Sequence, residues 1–381
     1  MDSLNNVTNN LIKIVRNVFL GEKEELVDLD IQKICNLARF HSIEYIVYTG
    51  LTNYGIDLNN NDFVHLSEIN AYKTIAQDLE LEEIAKHFKE NEICFLPMKG
   101  SVIKDLYPKH EYRNMADLDI LVKRCDMKKA GVVLKKLGYD VVDTGGYHDI
   151  YNKEPYMHIE IHRSLISETI KNFDYYDNIW SSDRIYVLDD KYHYYLRDED
   201  FYIFMIFHAS KHFEDGGTGF RTFIDEYIYL KTKTNLNFDN INQELKKINL
   251  TKFHNILKDS VDYIFNHQEK DNINDVLEFI SYIIDSGSYG NTLNAAASGV
   301  IMNGTKKKFI LRRLFPTKEI MKAMYPTLKK APYLLPFFYI KRLFKPIFHF
   351  RRYKKDYDQV KKLDEDEVKR VKKIKDIAGV E

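Results

Sequence analysis

The sequence predicts an α/β (α+β) fold: a mixed unit of strands and helices over about residues 91–190, between an N-terminal helical region (1–90) and two later helical regions (191–300 and 301–381). Three observations lead there. Apolar residues recur at three- and four-residue spacing up to residue 90, in short strand-like runs beyond it, and at helical spacing again from residue 197. The short runs are bounded by turn residues such as Gly100, Pro108 and Gly138. Hydrophobic content of 44% and aromatic content of 13% give the 381 residues ample core, which excludes a disordered chain.

Taken in order, "LVDLDIQKICNLARFHSIEYIVYTGL" and "INAYKTIAQDLELEEIAKHFKE" read as amphipathic helices. "EICFLPM" reads as a buried strand, "KGS" as a turn, and "VIKDLYP" as a helical turn closed by Pro108. "ADLDILV" is a strand, "CDMKKAGVVLKKLG" a helix ending at Gly138, and "YDVVDT" a further strand. "GYHDIYN" and "MHIEIHR" form a strand pair. "RDEDFYIFMIFHASKHF" is a helix with Asp198 as its cap and acids in its first turn. The glycine-rich "EDGGTGF" interrupts it before "RTFIDEYIYLK" resumes.

The strands carry the chemistry. Period two puts His158, Glu160 and His162 on one face of "MHIEIHR" and Met157, Ile159 and Ile161 on the other. It also places Asp117 and Asp119 together on an otherwise apolar strand, where they repel each other and are costly to desolvate. A divalent cation between them relieves both problems, and Mg2+ is commonly held by one or two carboxylates plus substrate phosphates. A strand ending at the surface with both acids solvated also explains a bare D-x-D. Upstream, "MKGSVIKDLY" adds Gly100, which lets the backbone approach a phosphate, and Ser101, a hydroxyl at a helix start. Glu160 supplies a third acid downstream. No P-loop or G-x-S-x-G is present, which argues against kinase and hydrolase chemistry.

The run "LPMKGSVIKDLYPKHEYRNMADLDILV", followed by "LGYDVV", "HIEIH", "RDEDFYIFMIFHASKH" and "RTFIDEYIYL", resembles the bacterial family of uncharacterised nucleotidyltransferases in the polymerase-β-like superfamily. The similarity spans roughly Leu26 to Leu230. It implies a polymerase-β-like core with a mixed sheet and Mg2+-dependent transfer of NMP from an NTP to a hydroxyl or phosphate acceptor at a two-metal site, releasing pyrophosphate. Gly100 and Ser101 would then hold the triphosphate, Asp117 and Asp119 would bind both metals, and Glu160 would be the third ligand or the base. Superfamily members often carry two small residues in the turn, whereas Lys99 precedes Gly100 here and becomes a candidate phosphate contact. His158 and His162 would orient the acids, reach the substrate, or simply wall the cleft.

His208, Lys211 and His212 share a helix face at i, i+3 and i+4. By analogy with the superfamily this face closes over the nucleotide, with Arg221 and Asp225 nearby; packing against the sheet is the alternative. "HASKH" lacks the Glu of H-E-x-x-H, so a zinc site is not expected there. Arg113 either contacts a phosphate or acceptor or fixes the loop before Asp117. Two rival functions stay open: a degenerate fold serving as a membrane-apposed binding or scaffold module, and an RNA-modifying transferase.

The net charge of −1 conceals an asymmetry. Residues 306–355 hold sixteen Lys or Arg and one acid, Glu319, so this stretch carries +15 and the remainder −16. Cations there alternate with Phe, Tyr and Leu, which suits an anionic membrane surface, a nucleic acid backbone, or packing against the acidic remainder. The highly charged stretch after it reads as a solvated helix. Three scattered cysteines without C-x-x-C, no signal-peptide pattern and no long apolar run lead to the expectation of a cytoplasmic protein, possible attachment being peripheral at the inner membrane face.

Overall fold

A computed structural model describes residues 4–59, 61–144, 146–168, 170–188, 191–268, 270–288, 290–325, 327–348 and 360–380. Four helices open the chain: α1 (Asn6–Leu20), α2 (Ile31–His41), α3 (Glu44–Asn53) and α4 (Asp62–Glu90). Asn5, Asp30 and Asn61 cap α1, α2 and α4 by accepting backbone N–H groups of the first turn.

The period change at residue 92 corresponds to a five-stranded mixed sheet. Its strands are β1 (Phe95–Pro97), β2 (Leu118–Val122), β3 (Asp140–Asp143), β4 (His148–Lys153) and β5 (Met157–His162), in spatial order β1-β2-β5-β4-β3. Only the central β2–β5 pair is parallel, which brings Asp119 opposite Glu160. The expected hairpin is β4–β5, with His148 opposite His162.

The turn after β1 is α5 (Gly100–Ile103), and the amphipathic stretch is α6 (Met127–Lys136). Leu118, Ile120 and Val122 of β2 and Ile159 and Ile161 of β5 share one core with Ile84 and Phe88 of α4 and with Ala130, Val133 and Leu134 of α6. Alternation therefore turns Asp119, Glu160 and His162 to the opposite face.

A short helix α7 (Phe173–Tyr176) and the antiparallel pair β6 (Ile185–Val187) and β7 (Tyr194–Leu196) lead to α8 (Asp198–Glu214) and α9 (Arg221–Thr232). Asp198 is the first residue of α8; its N-cap is Arg197, with no side-chain cap bond, so Asp198 acts through first-turn charge instead of as the expected cap. Helices α10 (Phe238–Lys247), α11 (Thr251–Asn266), α12 (Ile273–Ser286) and α13 (Thr292–Asn303) follow. They share a second, larger core with α1–α3, α8 and α9. His41 ties the two ends of this core together: its Nδ1 accepts from the Phe220 N–H at 3.0 Å, and its Nε2–H donates to the Ile284 carbonyl at 3.1 Å.

The basic region forms α14 (Lys306–Leu314), α15 (Lys318–Met324), α16 (Thr327–Lys330) and α17 (Leu335–Phe348). Residues 349–359, and with them the last cations of that stretch, lie outside the described residues. The final helix, α18 (Glu365–Ala378), differs from the solvated helix expected: it buries Val371, Ile374 and Ala378 in the larger core. Its apolar residues fall at three- and four-residue spacing, which its high charge density masks in the sequence. Among the described residues, no helix is long and apolar enough to cross a membrane.

Candidate active site

A cleft of about 350 Å3 lies between the open face of the sheet and helices α8 and α9. That volume falls in the range of small-molecule sites. Asp117, Asp119 and Glu160 all line it, and a carboxylate oxygen from each lies within 4.8 Å of the others. Asp117 precedes β2, Asp119 is its second residue, and Glu160 is Asp119's neighbour across the parallel ladder. Burial, and then the charge of Asp119, push the Asp117 carboxyl above its ordinary range. Three converging hard oxygen donors with this repulsion among them fit a divalent cation.

Asp119 is 4% exposed and stays ionised. Burial alone would raise its pKa, but the Lys99 ammonium and the His162 hydrogen bond hold it far below the carboxylate range. Both groups meet the same oxygen: Lys99 Nζ donates to Asp119 Oδ1 at 2.8 Å, and His162 Nε2–H donates to it at 2.7 Å. His162 Nε2 also lies 3.3 Å from Glu160 Oε2, and this contact holds Glu160 below its usual value although burial opposes it. Lys99, expected as a phosphate contact, is thus committed to the carboxylates. Its backbone is at φ 52°, ψ −122°, a region natural only to glycine, which costs on the order of 1–3 kcal/mol.

Gly100 lines the cleft, and a Cβ there would lie 2.7 Å from Met115 Sδ. Ser101 departs from expectation. Its hydroxyl donates to the Met98 carbonyl at 2.7 Å, and it is absent from the cleft wall. The backbone N–H groups of Ser101, Val102 and Ile103 are also taken, by the carbonyls of Met98 and Lys99. The tight turn of α5 consumes donors that a longer helix start would leave free.

Arg113 takes the second of its two expected roles. Its Nε and Nη2 donate to Asp225 Oδ1 and Oδ2 at 2.7 and 2.9 Å, and Tyr107 donates to the same Oδ1 at 2.6 Å. Arg113 Nη1 and Arg221 Nη1 both donate to the Asn114 carbonyl, at 3.0 and 2.7 Å. The loop entering Asp117 is therefore fastened to α9.

His208, Lys211 and His212 line the opposite wall. Burial, then the neighbouring His212, holds His208 well below the usual imidazole range. Burial, then Lys211, lowers His212 to about 4. The two rings share a hydrogen bond, Nε2 to Nε2 at 3.1 Å, so both are neutral at pH 7 and Lys211 is the cation of the trio. His158 is not among the residues that line the cleft; its Nδ1 donates to Asn152 Oδ1 at 2.6 Å.

Sequence reasoning missed Tyr147 and His148, which both line the cleft. His148 Nδ1 is 3.5 Å from Glu160 Oε2, and the ring is 5.0 Å from that of His162. The hairpin register was the available signal, because it sets His148 directly across from His162.

With this geometry in place, the comparisons with known proteins are specific on one point. A family model described as an uncharacterised nucleotidyltransferase matches residues 28–258, more than half of the chain. No curated protein and no solved structure matches.

Proposed function

The chain belongs to that uncharacterised nucleotidyltransferase family, and from this premise we propose that it transfers a nucleoside monophosphate from an NTP, with Mg2+, to a hydroxyl or phosphate acceptor and releases pyrophosphate. The observation that carries the reading is the convergence of Asp117, Asp119 and Glu160 on the one sheet face that opens into a cleft. A divalent ion held by these three acids supplies charge neutralisation at phosphate oxygens and lowers the pKa of a bound hydroxyl.

The chain's own groups divide the remaining work. Asp119, kept ionised by Lys99 and His162, is a ligand and not a proton acceptor. Gly100 lies in the cleft wall packed against Met115, where an added Cβ would push that side chain and reshape the floor offered to substrate. Lys211 supplies positive charge for a polyphosphate, while neutral His208 and His212, bonded to each other through Nε2, form the wall beside it without adding charge. The fastened Asn114 loop holds Asp117 at the mouth of β2.

The test is incubation of the protein with each NTP, labelled in turn at the α- and γ-phosphate, with Mg2+ and a cell extract. Transfer of α-label to a discrete acceptor is expected. Transfer of γ-label would instead indicate a kinase, and no transfer from any NTP would favour a binding module. Labelled RNA would identify the acceptor as nucleic acid.

For the basic region we propose contact with an anionic membrane surface. None of the residues of α14 is buried, and Leu311, Phe315, Tyr333, Phe337 and Ile340 are exposed among its cations. An exposed apolar and cationic surface of this kind gains from burial in the headgroup region and from charge attraction together.

A further inference from the structure

Position 99 combines two oddities. Its backbone adopts a conformation suited to glycine, yet it carries a long cationic side chain. That side chain folds into the cleft and places its ammonium 2.8 Å from Asp119 Oδ1, within the carboxylate cluster itself. We propose that the Lys99 ammonium is a built-in cation that takes the place of one of the two divalent ions implied for such a site, so that Asp117, Asp119 and Glu160 together bind a single ion.

The charge and the occupancy both support this. Asp119 Oδ1 already receives two donors, from Lys99 and His162, and the remaining hard donors are those of Asp117 and Glu160 with the other Asp119 oxygen. In the nucleotide-free site the three carboxylates carry a charge of −3 when ionised; an ammonium and one divalent ion balance it, whereas an ammonium and two divalent ions overcompensate. Lysine contributes a fixed charge and hydrogen-bond donors but no open coordination position. It serves as a positioning and charge-balancing residue for Asp119. The fold secures this arrangement by holding residue 99 at positive φ, from which the side chain reaches the floor of β2.

This inference rests on the metal-dependent reading above, and the experiment separates the two. Mn2+ alone is the probe. Bound ions are counted by equilibrium dialysis against an Asp117→Asn/Glu160→Gln double variant as blank, and paired ions are recognised by spin coupling in electron paramagnetic resonance. Lys99→Gly removes the ammonium at a backbone position that glycine favours, so the variant is expected to fold; a thermal melt confirms it. The expected result is one uncoupled ion at the wild-type site, two spin-coupled ions in Lys99→Gly, and one again in Lys99→Arg. Two coupled ions in the wild type, or a single ion in Lys99→Gly, would overturn the proposal while leaving the metal-dependent reading intact. No ion in the wild type would overturn both.

Discussion

Replacing Asp225 by alanine should be among the most damaging single changes outside the carboxylate cluster. Arg113 and Asp225 side chains are only 10% and 13% exposed, and both carboxylate oxygens receive guanidinium hydrogen bonds. Removing one partner of a buried pair strands the other charge, at a cost of about 3–5 kcal/mol. Tyr107 loses its acceptor as well, which adds about 1 kcal/mol. Together this approaches the whole stability of a marginal domain, roughly 5–15 kcal/mol. Urea unfolding followed by circular dichroism should show the loss. Tyr107→Phe should cost only about 1 kcal/mol. The double variant Arg113→Met/Asp225→Ala should recover part of the loss, because it no longer buries an unpaired charge. A loss below about 1 kcal/mol for Asp225→Ala, or a double variant no better than the single one, would refute the buried-pair reasoning.

Three further outcomes are expected. Burial raises the Glu226 carboxyl to about 7 despite the Tyr202 hydroxyl beside it. Its folded pKa therefore lies above the unfolded one, so its contribution is complete below about pH 4.5 and is lost as pH rises through 7, some 3 kcal/mol in all. The melting temperature of Glu226→Gln should fall less than that of the wild type between pH 5 and 8; parallel curves would contradict the assignment. Gly100→Ala forces Met115 aside and should weaken NTP binding roughly tenfold, or about 1.4 kcal/mol, with little change in melting temperature; unchanged affinity by calorimetry would remove Gly100 from the binding surface. Reversing Lys307, Lys308 and Arg312 to Glu should abolish flotation with anionic vesicles, which salt should also release; flotation unaffected by either would exclude the electrostatic surface.

The legible parts of this protein were those written in local periodicity. Alternation along Met157–His162 fixed which side chains share a face, and the burial of β5 follows it from Met157 to Ile161, while His162 is buried on the cleft face beside Asp119. Asp117, just before β2, and Asp119 within it stood out because the rest of that strand is apolar. What escaped depended on pairing between distant segments. The parallel ladder that aligns Asp119 with Glu160 joins strands some forty residues apart, and nothing local specifies its register. His148 belongs to the site only through the hairpin register. The commitment of Lys99 to Asp119 depends on a backbone angle that no side-chain pattern encodes. Ser101 matched a phosphate-turn pattern by type, yet the tightness of α5 turns its hydroxyl inward. The docking of α18 was hidden because its charged residues outnumber the few apolar ones that settle its position.

The central claim is that Asp117, Asp119 and Glu160 carry nucleotidyl transfer. Its most direct test is pyrophosphate release from the accepted NTP by wild type and by Asp117→Asn, with thermal melts run alongside. The substitution removes one of the converging anionic donors and relieves like-charge repulsion within the cluster. The account predicts a fall of about a thousand-fold, equivalent to about 4 kcal/mol of barrier, in a variant that melts at or slightly above the wild-type temperature without metal. Pyrophosphate release within tenfold of wild type, from a variant that melts clearly lower, would contradict it.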